Sequence, residues 1–451
     1  MLSREDNELL CRIGPGTPMG DLMRQYWIPA LAVEELPAPD CPPVRVRLLG
    51  EDLIAYRATS GAVGLMQNAC PHRGASMFFG RNEDEGLRCV YHGWKFDVTG
   101  ACVEMPSEPA ESNFKNKVQA RAYPCRERGG VVWTYMGARP VEALPPLPVI
   151  EANMLPEGEY SVNVLMRDCN WVQALEGDLD TVHVAFLHGG HRRVEDATPG
   201  TFGYYGIKER AARFATIETE YGVTYGAYRT AEEDSHYWRI AHFLFPFWSM
   251  VPTGVLGVQK IARAWVPMDD EHTIFFHFSD PLSRSEGQRP MPEGTSEAER
   301  RRAANAALAA TAMAEVLPNS TGWLGRYRNA ANVSNDYKLD REMQRNRNYT
   351  GMPNITTEDQ AVTESMGPIY TRTQEHLGVS DAMIIRMRRR LINAAKALRD
   401  QGVTPPGVDS PEVYRQRSGG VVLPRSVDWW QATTELRKAF VQHQRPQSAL
   451  P

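Results

Sequence analysis

Two short stretches decide the fold: CPHRGA at residues 70–75 and CVYHGWKF at residues 89–96. Each stretch carries one cysteine and one histidine, and together they read C-x-H-x16-C-x2-H. A glycine follows each histidine closely, where the backbone must pass near a bound group without a Cβ in the way. The pattern predicts a metal centre held by two thiolates and two imidazoles. Its four side chains are those of Cys70, His72, Cys89 and His92.

Two kinds of metal centre use such ligands. In a Rieske [2Fe–2S] cluster, two cysteines hold one iron and two histidines hold the other. In a Cys₂His₂ zinc site, like ligands cluster as C-x2-4-C and H-x3-5-H. Here each stretch mixes the two ligand types, and this favours the Rieske cluster. Its neutral imidazoles raise the potential above that of an all-cysteine ferredoxin.

Through CPHRGA and CVYHGWKF the chain resembles the Rieske non-haem iron oxygenases. In the high-potential Rieske proteins of respiratory complexes, the loops carry two further cysteines that form a disulfide, as the resemblance implies. Here His72 is followed by Arg73, Gly74 and Ala75, with no such pair. The resemblance therefore implies the lower-potential cluster of the oxygenases.

The composition is ordinary for a soluble chain with room for two or three domains. The 451 residues carry a formal charge of −5, which gives no electrostatic reason to expect nucleic acid or an anionic membrane as partner. No apolar run approaches the roughly 18 residues that span a bilayer, and the N-terminus lacks the apolar core of a signal peptide. The remaining cysteines are scattered, which predicts reduced thiols in a cytoplasmic protein. They are Cys11, Cys41, Cys102, Cys125 and Cys169.

The pattern along the chain predicts an α+β protein with two domains. Residues 1–27 contain two short helical pieces, and residues 28–150 have the short alternating runs of an all-β Rieske domain. A proline-rich crossing places the domain boundary near residue 150. Residues 151–451 are predicted to form the catalytic domain, with a large antiparallel sheet flanked by helices (helix-grip type).

Within the catalytic domain, residues 202–280 alternate in strand fashion and supply the predicted sheet. Residues 283–320 are polar and then rich in Ala, Arg and Glu, which predicts an exposed insertion. A helix with regularly spaced apolar residues is predicted to open at Ser380-Asp381 and to run to Gly402.

A second motif, D-x2-H-x4-H, runs through Asp180, His183 and His188. Two histidines and one carboxylate form the facial triad of non-haem Fe(II) oxygenases, which leaves positions open for dioxygen and substrate. Residues five apart on a regular α-helix point about 140° from each other, so both histidines cannot face one metal without a break. We expect a helix end or a π-type bulge near Ala185–Leu187. Two ordinary histidines on a partly buried helix are the alternative, which the upstream motif disfavours.

The resemblance assigns roles to this second motif. It implies that His183 and His188 hold the mononuclear iron and that Asp180 is a bridging carboxylate. It also implies that Asp180 bonds His92 of a neighbouring subunit, in a ring-shaped homotrimer where electrons cross between chains. From the residues alone, a carboxylate one helical turn before a histidine can fix its tautomer. Two other carboxylates compete for this role without the three-residue offset, namely Glu176 and Asp178.

The third iron ligand must come from far downstream. Residues 351–390 resemble the C-terminal part of the phthalate dioxygenase oxygenase branch, in which the matching aspartate binds iron. This resemblance implies Asp359. Thr356-x-x-Asp359 is also a capping-box pattern, and an aspartate at a helix start needs no metal. Glu358 is the next candidate.

The two sites together predict an oxygenase, because an electron carrier would not need the second motif. No G-x-G-x-x-G follows a strand and no C-x4-C-x2-C motif is present, so we expect a separate NAD(P)H-dependent reductase with flavin and its own iron–sulfur cluster. Its docking is expected over His92. The resemblance implies an aromatic acid of the phthalate type, which is hydroxylated or dihydroxylated. The alternative is O-demethylation of a lignin-derived methoxyaromatic acid.

An aromatic acid requires an apolar pocket with one or two cations. Arg239 is the first candidate for a carboxylate clamp, and a solvated charge on the strand face is the alternative. Three further basic side chains are candidates, namely Lys208, Lys260 and Arg263. Four aromatic side chains are candidates for the pocket wall, although core packing explains them equally well: Trp171, Phe186, Phe243 and Trp248. Three histidines are expected to be structural or exposed, namely His191, His236 and His242.

Overall fold

The computed structural model describes residues 1–283, 294–296, 299–300, 303 and 314–441. Two short helices open the chain, α1 (Arg4–Cys11) and α2 (Pro18–Met23). Each begins at a hydroxyl side chain that accepts a hydrogen bond from a backbone amide of the first turn, Ser3 for α1 and Thr17 for α2. The predicted insertion at residues 283–320 lies mostly outside the described residues.

The part of the chain that carries the first motif is built from three small sheets. Their strand orders are β1-β11-β10, β2-β3-β4-β9 and β5-β6-β7-β8, and every strand pairing is antiparallel. The strands are β1 (Trp27–Ala32), β2 (Val44–Leu48), β3 (Glu51–Arg57), β4 (Val63–Gln67), β5 (Arg81–Glu83), β6 (Gly86–Arg88), β7 (Lys95–Phe96), β8 (Cys102–Glu104), β9 (Ala122–Tyr123), β10 (Cys125–Arg128) and β11 (Val131–Tyr135).

The following part of the chain forms one eight-stranded sheet. Its order is β12-β18-β17-β16-β15-β14-β13, and β19 pairs with β15; all of these pairings are antiparallel. The strands are β12 (Ser161–Arg167), β13 (Arg213–Thr219), β14 (Gly222–Thr230), β15 (Ser235–Leu244), β16 (Trp248–Met250), β17 (Ile261–Pro267), β18 (Thr273–Ser279) and β19 (Gly419–Pro424). The predicted fold class, a small all-β region followed by a large antiparallel sheet with helices, is confirmed.

Helices accompany the large sheet. They are α3 (Trp171–Leu179), α4 (Phe202–Lys208), α5 (Arg341–Asn346), α6 (Ile355–Glu364), α7 (Ala382–Gln401) and α8 (Trp429–Ala432). Helix α7 is the helix predicted from the apolar spacing, and it ends at Gly402, whose φ of 68° is the left-handed conformation of a C-cap. Among the described residues no helix has the length and apolarity that crossing a membrane requires.

The start of the strand prediction over residues 202–280 is wrong. Phe202–Lys208 forms helix α4, because the Thr201 side chain accepts a hydrogen bond from the Tyr204 amide and caps a helix there. Strands begin only at Arg213. The aromatic pair Tyr204-Tyr205 is typical of a strand, but the cap at Thr201 favours a helix in this segment.

Candidate metal centres and substrate cavity

The two cysteine–histidine stretches form loops with the same backbone geometry, one after β4 and one between β6 and β7. The Gly74 amide donates to the carbonyl of Cys70 at 2.9 Å, and the Gly93 amide donates to that of Cys89 at 3.0 Å. The two glycines have φ of 76° and 79°, a conformation that strains residues with a Cβ. The two loops therefore share a backbone turn, although the histidine lies two residues after the cysteine in the first loop and three in the second.

The side chains of these loops meet in one place and fit an iron–sulfur cluster. The rings of His72 and His92 lie 4.4 Å apart, and each Nδ1 atom is buried without a hydrogen-bond partner among the described residues. Cys70 and Cys89 are buried, and burial raises the pKa of the Cys70 thiol to about 11. Two imidazole nitrogens without partners beside two buried sulfurs suit metal ions, which hold such thiols as thiolates.

The second motif follows helix α3, which ends earlier than predicted. The helix ends at Leu179, the Asp180 backbone is extended, and a 3₁₀ turn covers His183–Ala185. The predicted break near Ala185–Leu187 is therefore misplaced. The cause is local: the Asp180 carboxylate accepts a hydrogen bond from the Val182 amide at 2.7 Å, an Asx-type turn that competes with the helix.

The structure brings both histidines of this motif to Asp359. The potential ligand atoms of the three residues lie within 4.8 Å of one another. One Asp359 oxygen is 3.6 Å from Nε2 of His183 and 3.1 Å from Nε2 of His188. The capping-box interpretation of Asp359 is wrong, because helix α6 is capped by Asn354, which accepts from the Thr357 amide at 2.9 Å.

Carboxylates also lie at the opposite nitrogen of each imidazole. Nδ1 of His188 is 2.5 Å from Glu358, which accepts a hydrogen bond from the Thr350 hydroxyl at 2.5 Å. Nδ1 of His183 is 3.5 Å from Asp180. Such partners fix the tautomer, so that both Nε2 atoms face the shared carboxylate. The sequence predicts Glu358 only as an alternative ligand, and its position next to Asp359 is the one sequence signal of this arrangement.

The charges of the cluster favour a cation. Burial alone would lower the pKa of His188, but its hydrogen bonds to Asp359 and Glu358 raise it to about 9. Burial would raise the pKa of Asp359, but the hydrogen bond from His188 and nearby positive charges hold it below its ordinary value. Because two carboxylates favour positive charge between them, the donor set fits a divalent metal ion with two nitrogens and one oxygen.

The two carboxylates that competed for the bridging role are paired with arginines. Glu176 lies 3.2 Å from Arg372 and 2.5 Å from Arg388. Asp178 forms an ion pair with Arg263. Both carboxylates are thus neutralised away from His183.

A cavity of about 430 Å³ lies beside the triad, between the large sheet and helices α3 and α6. Its wall includes all three members of the triad and several aromatic side chains from the sheet and from α4. These aromatic residues are Phe202, Tyr225, Trp265 and Phe275. None of the four candidate aromatic residues lines this cavity. Phe186 is 46% exposed, and the core-packing alternative holds for the other three: Trp171, Phe243 and Trp248.

Arg239 lines this cavity, as expected of a substrate clamp, but each of its three nitrogens already donates to a protein oxygen. Nη1 donates to the Thr181 hydroxyl at 2.5 Å, and Nε and Nη2 donate to the carbonyl of Pro252 at 3.3 and 3.0 Å. Its guanidinium also lies 3.6 Å from the ring centre of Phe202. The other basic candidates are exposed or paired with an acid, namely Lys208, Lys260 and Arg263.

Comparisons with known proteins agree with both centres. Residues 26–124 match the Rieske [2Fe-2S] domain, and residues 134–289 and 316–448 match the LigXa C-terminal domain like family. The chain is 46% identical to the 3-chlorobenzoate-3,4-dioxygenase oxygenase subunit of Comamonas testosteroni, over 95% of this chain and 97% of that one. It is 36% identical to the phthalate 4,5-dioxygenase oxygenase subunit of Pseudomonas putida, over 95% and 94%.

Two further similarities concern one region and the fold. The 5,5'-dehydrodivanillate O-demethylase oxygenase subunit of Sphingobium sp. (strain NBRC 103272 / SYK-6) is 41% identical over 53% of this chain and 55% of that one. The solved structure of a Pseudomonas putida CBB5 NdmA mutant with caffeine superposes with a TM-score of 0.55, over 87% of this chain and 96% of that one. At 19% identity, the latter shows the fold alone.

The fold and the matched families define an oxygenase subunit with a Rieske [2Fe–2S] cluster and a mononuclear iron, an oxidoreductase that uses dioxygen. The chain belongs to the Rieske non-haem iron oxygenases, in the branch whose catalytic domain is LigXa-like. The predicted resemblance, cofactors and enzyme class are confirmed. Its relatives are subunits of multicomponent systems, so a separate component supplies the electrons.

Proposed function

We propose that this oxygenase subunit hydroxylates or dihydroxylates an aromatic acid of the benzoate or phthalate type. The cavity carries the proposal, because it joins a two-histidine, one-carboxylate cluster to a wall of aromatic and buried basic side chains. Such a wall suits a flat apolar ring with one anionic group. The relatives that match nearly the whole chain are named for 3-chlorobenzoate and phthalate, which have this chemistry.

The metal ligands follow from the two clusters of donors. We assign the mononuclear iron to His183, His188 and Asp359. When bound, the two metal groups supply single-electron transfer and dioxygen activation. The chain's own contribution is to hold the substrate ring in the cavity next to the triad and to keep each imidazole in one tautomer. We assign the cluster to the four side chains of the first motif, namely Cys70, His72, Cys89 and His92.

The bridging role of Asp180 and the homotrimer belong to the same proposal. The Asp180 side chain is 29% exposed while it lies 3.5 Å from Nδ1 of His183. One carboxylate oxygen can therefore face an imidazole of a neighbouring subunit while the other faces His183. None of the seven cysteines forms a disulfide, which supports the proposed cytoplasmic location.

Exposed apolar side chains lie around the cluster loops, and they support the proposal that a protein partner docks there. Their exposed fractions range from 45% to 64%, and such a patch near a redox centre is typical of a docking surface. We propose that a flavin- and iron–sulfur-containing reductase docks over His92. The patch consists of Phe79, Val90, Tyr91 and Phe114.

O-demethylation of a methoxyaromatic acid is the second candidate function. This function is favoured by the similarity to a dehydrodivanillate O-demethylase subunit, which is 41% identical over about half of the chain. Both reactions use the same cluster and iron site, so the position of the substrate in the cavity decides between them.

A single turnover of chemically reduced holoenzyme in ¹⁸O₂ tests the proposal, with benzoates, phthalates and methoxybenzoates as substrates and mass spectrometry as readout. Labelled hydroxyl groups on the ring are the expected result. Formaldehyde release with loss of a methyl group would establish the demethylase instead. Reoxidation of the cluster without any product would contradict an aromatic-acid substrate and leave the oxygenase class intact.

A further inference from the structure

Arg167 is the last residue of strand β12 and lines the cavity. The residue is 4% exposed, and its Nε and Nη1 atoms are buried without a hydrogen-bond partner in the described part of the chain. A buried guanidinium without an ion pair or hydrogen-bond partners destabilises the folded state. We therefore expect a hydrogen-bond acceptor for this side chain that comes from outside the chain.

The other arginines of the cavity wall do not share this property. Arg263 is neutralised by Asp178, and Arg239 donates from all three nitrogens to neighbouring oxygens. Among the described residues, Arg167 is therefore the arginine of the cavity wall that has no ion pair and no hydrogen bond from Nε or Nη1. Its guanidinium also lies 5.8 Å from the ring centre of Trp265, which leaves one face against an aromatic surface.

Two carboxylates lie near Arg167, and each is engaged with other groups. Asp359 faces the Nε2 atoms of the two histidines of the triad. Glu364 accepts hydrogen bonds from the Asp168 amide at 2.9 Å and from the Tyr337 hydroxyl at 2.8 Å. The charge of Arg167 contributes to the low pKa of Asp359, but the described residues include no ion pair between the two. Neither carboxylate thus satisfies the free donors.

Strand register places an apolar row directly beside Arg167. Leu165 precedes it by two residues and shares its face of the sheet, about 7 Å along the strand. Leu165 pairs with Phe275 on β18, and Phe275 pairs with Trp265 on β17. All three side chains line the cavity. This row offers a flat surface for an aromatic ring, and Arg167 lies at one end of it.

We propose that Arg167 binds the carboxylate of the aromatic substrate while the ring rests on the row formed by Leu165, Phe275 and Trp265. This inference rests on the proposed function and deepens it. It makes a ring-bound carboxylate the recognition element of the cavity, and it makes Arg167, rather than Arg239, the residue that selects an acid over its neutral analogue. A guanidinium matches a carboxylate in geometry and charge.

The test is equilibrium binding of benzoate and of benzamide to holoenzyme by titration calorimetry. Benzamide keeps the ring and removes the charge. We expect R167M to bind benzoate about 10- to 100-fold more weakly, as loss of a charge-assisted hydrogen bond predicts. Benzamide affinity should change little. R167K keeps the charge without the planar fork and should lose less benzoate affinity; it also carries the test if R167M does not fold.

R239M is the matched control, since it removes another buried arginine from the same wall. We expect it to melt at a lower temperature, because it leaves the Thr181 hydroxyl and the Pro252 carbonyl without donors, and to change benzoate affinity less than R167M does. Ligand-free R167M should melt at the same temperature as wild type or higher, because an unpaired buried charge is removed. If Arg167 had only a structural role, ligand-free R167M would instead melt at a lower temperature than wild type.

Unchanged benzoate affinity in R167M and R167K would overturn the inference while leaving the proposed function in place. Equal losses for benzoate and benzamide, together with a lower melting temperature, would also overturn it. A larger benzoate loss in R239M than in R167M would assign the clamp to Arg239. If wild type binds benzoate through Arg167 but yields no oxygenated product from any acid, the proposed reaction fails and the inference stands.

Discussion

The two metal centres collect their ligands from the chain in different ways. At the cluster loops, two short stretches supply all four candidate ligands, and each loop is closed by its own backbone hydrogen bond. At the triad, His183 and His188 lie beyond the end of helix α3, and Asp359 arrives on helix α6. Glu358, which contacts His188, is 170 residues away from it in sequence.

This difference explains what a motif can predict. Where local turns position the ligands, the residue spacing predicts the geometry of the site. The spacing of the cluster loops is therefore specific for one kind of metal centre. Where tertiary packing positions them, spacing indicates only which residues are available. The partner of Nδ1 of His183 is the nearby Asp180, which the local spacing indicates. The partner of Nδ1 of His188 is Glu358, and it depends on how α6 packs against the segment after α3, which no local pattern reveals.

The largest expected effect is that of D359A, which removes the one candidate ligand that packing brings to the triad. We expect turnover to fall by more than the roughly 10- to 100-fold that follows loss of a hydrogen-bond partner of a ligand imidazole. Mononuclear iron should be lost while the visible spectrum of the cluster is kept. Iron analysis and absorption spectroscopy would check both. D409A, which removes an exposed carboxylate paired with Arg139, is the control. Loss of the cluster in D359A would contradict the separation of the two centres.

E358Q is expected to have the next largest effect. The variant keeps the shape of the side chain and weakens the acceptor at Nδ1 of His188, so iron affinity or turnover should fall roughly 10- to 100-fold. Added Fe(II) should restore part of the activity, which separates this loss from that of D359A. A T350V variant removes the hydroxyl that donates to Glu358 and should act in the same direction with a smaller loss. Full activity in E358Q would show that Glu358 does not orient the imidazole.

Much of the fold could be predicted because alternation and capping are local. The antiparallel sheet, the β-rich cluster region and helix α7 follow from patterns within single segments. The sequence of helix α4 predicts a strand through its aromatic residues, whereas the side chain of Thr201 caps a helix there. The free donors of Arg167 and the engaged donors of Arg239 could not be predicted, since both depend on residues from distant strands and loops.

D180N is expected to slow electron transfer from the reduced cluster by about tenfold, because a charge-assisted hydrogen bond becomes a neutral one. Both metal groups should remain, since Asp180 is not a ligand in the proposal. Stopped-flow reoxidation of the reduced cluster in the presence of substrate and dioxygen would measure the rate. Wild-type single-turnover kinetics would refute the bridging role and leave the triad assignment unaffected.

The smallest expected effect compares the two cluster loops with each other. G74A introduces a Cβ at positive φ into open space and should cost about 1 kcal/mol of stability. G93A has the same backbone strain, but its Cβ would lie 2.6 Å from Cγ of Pro106, so we expect about 1 kcal/mol more. Denaturant unfolding followed at the cluster absorption would measure both. Equal losses would mean that Pro106 moves aside freely. A larger loss of stability in G74A than in G93A would contradict the shared backbone geometry of the two loops, because a Cβ added at Gly74 contacts nothing within 4 Å.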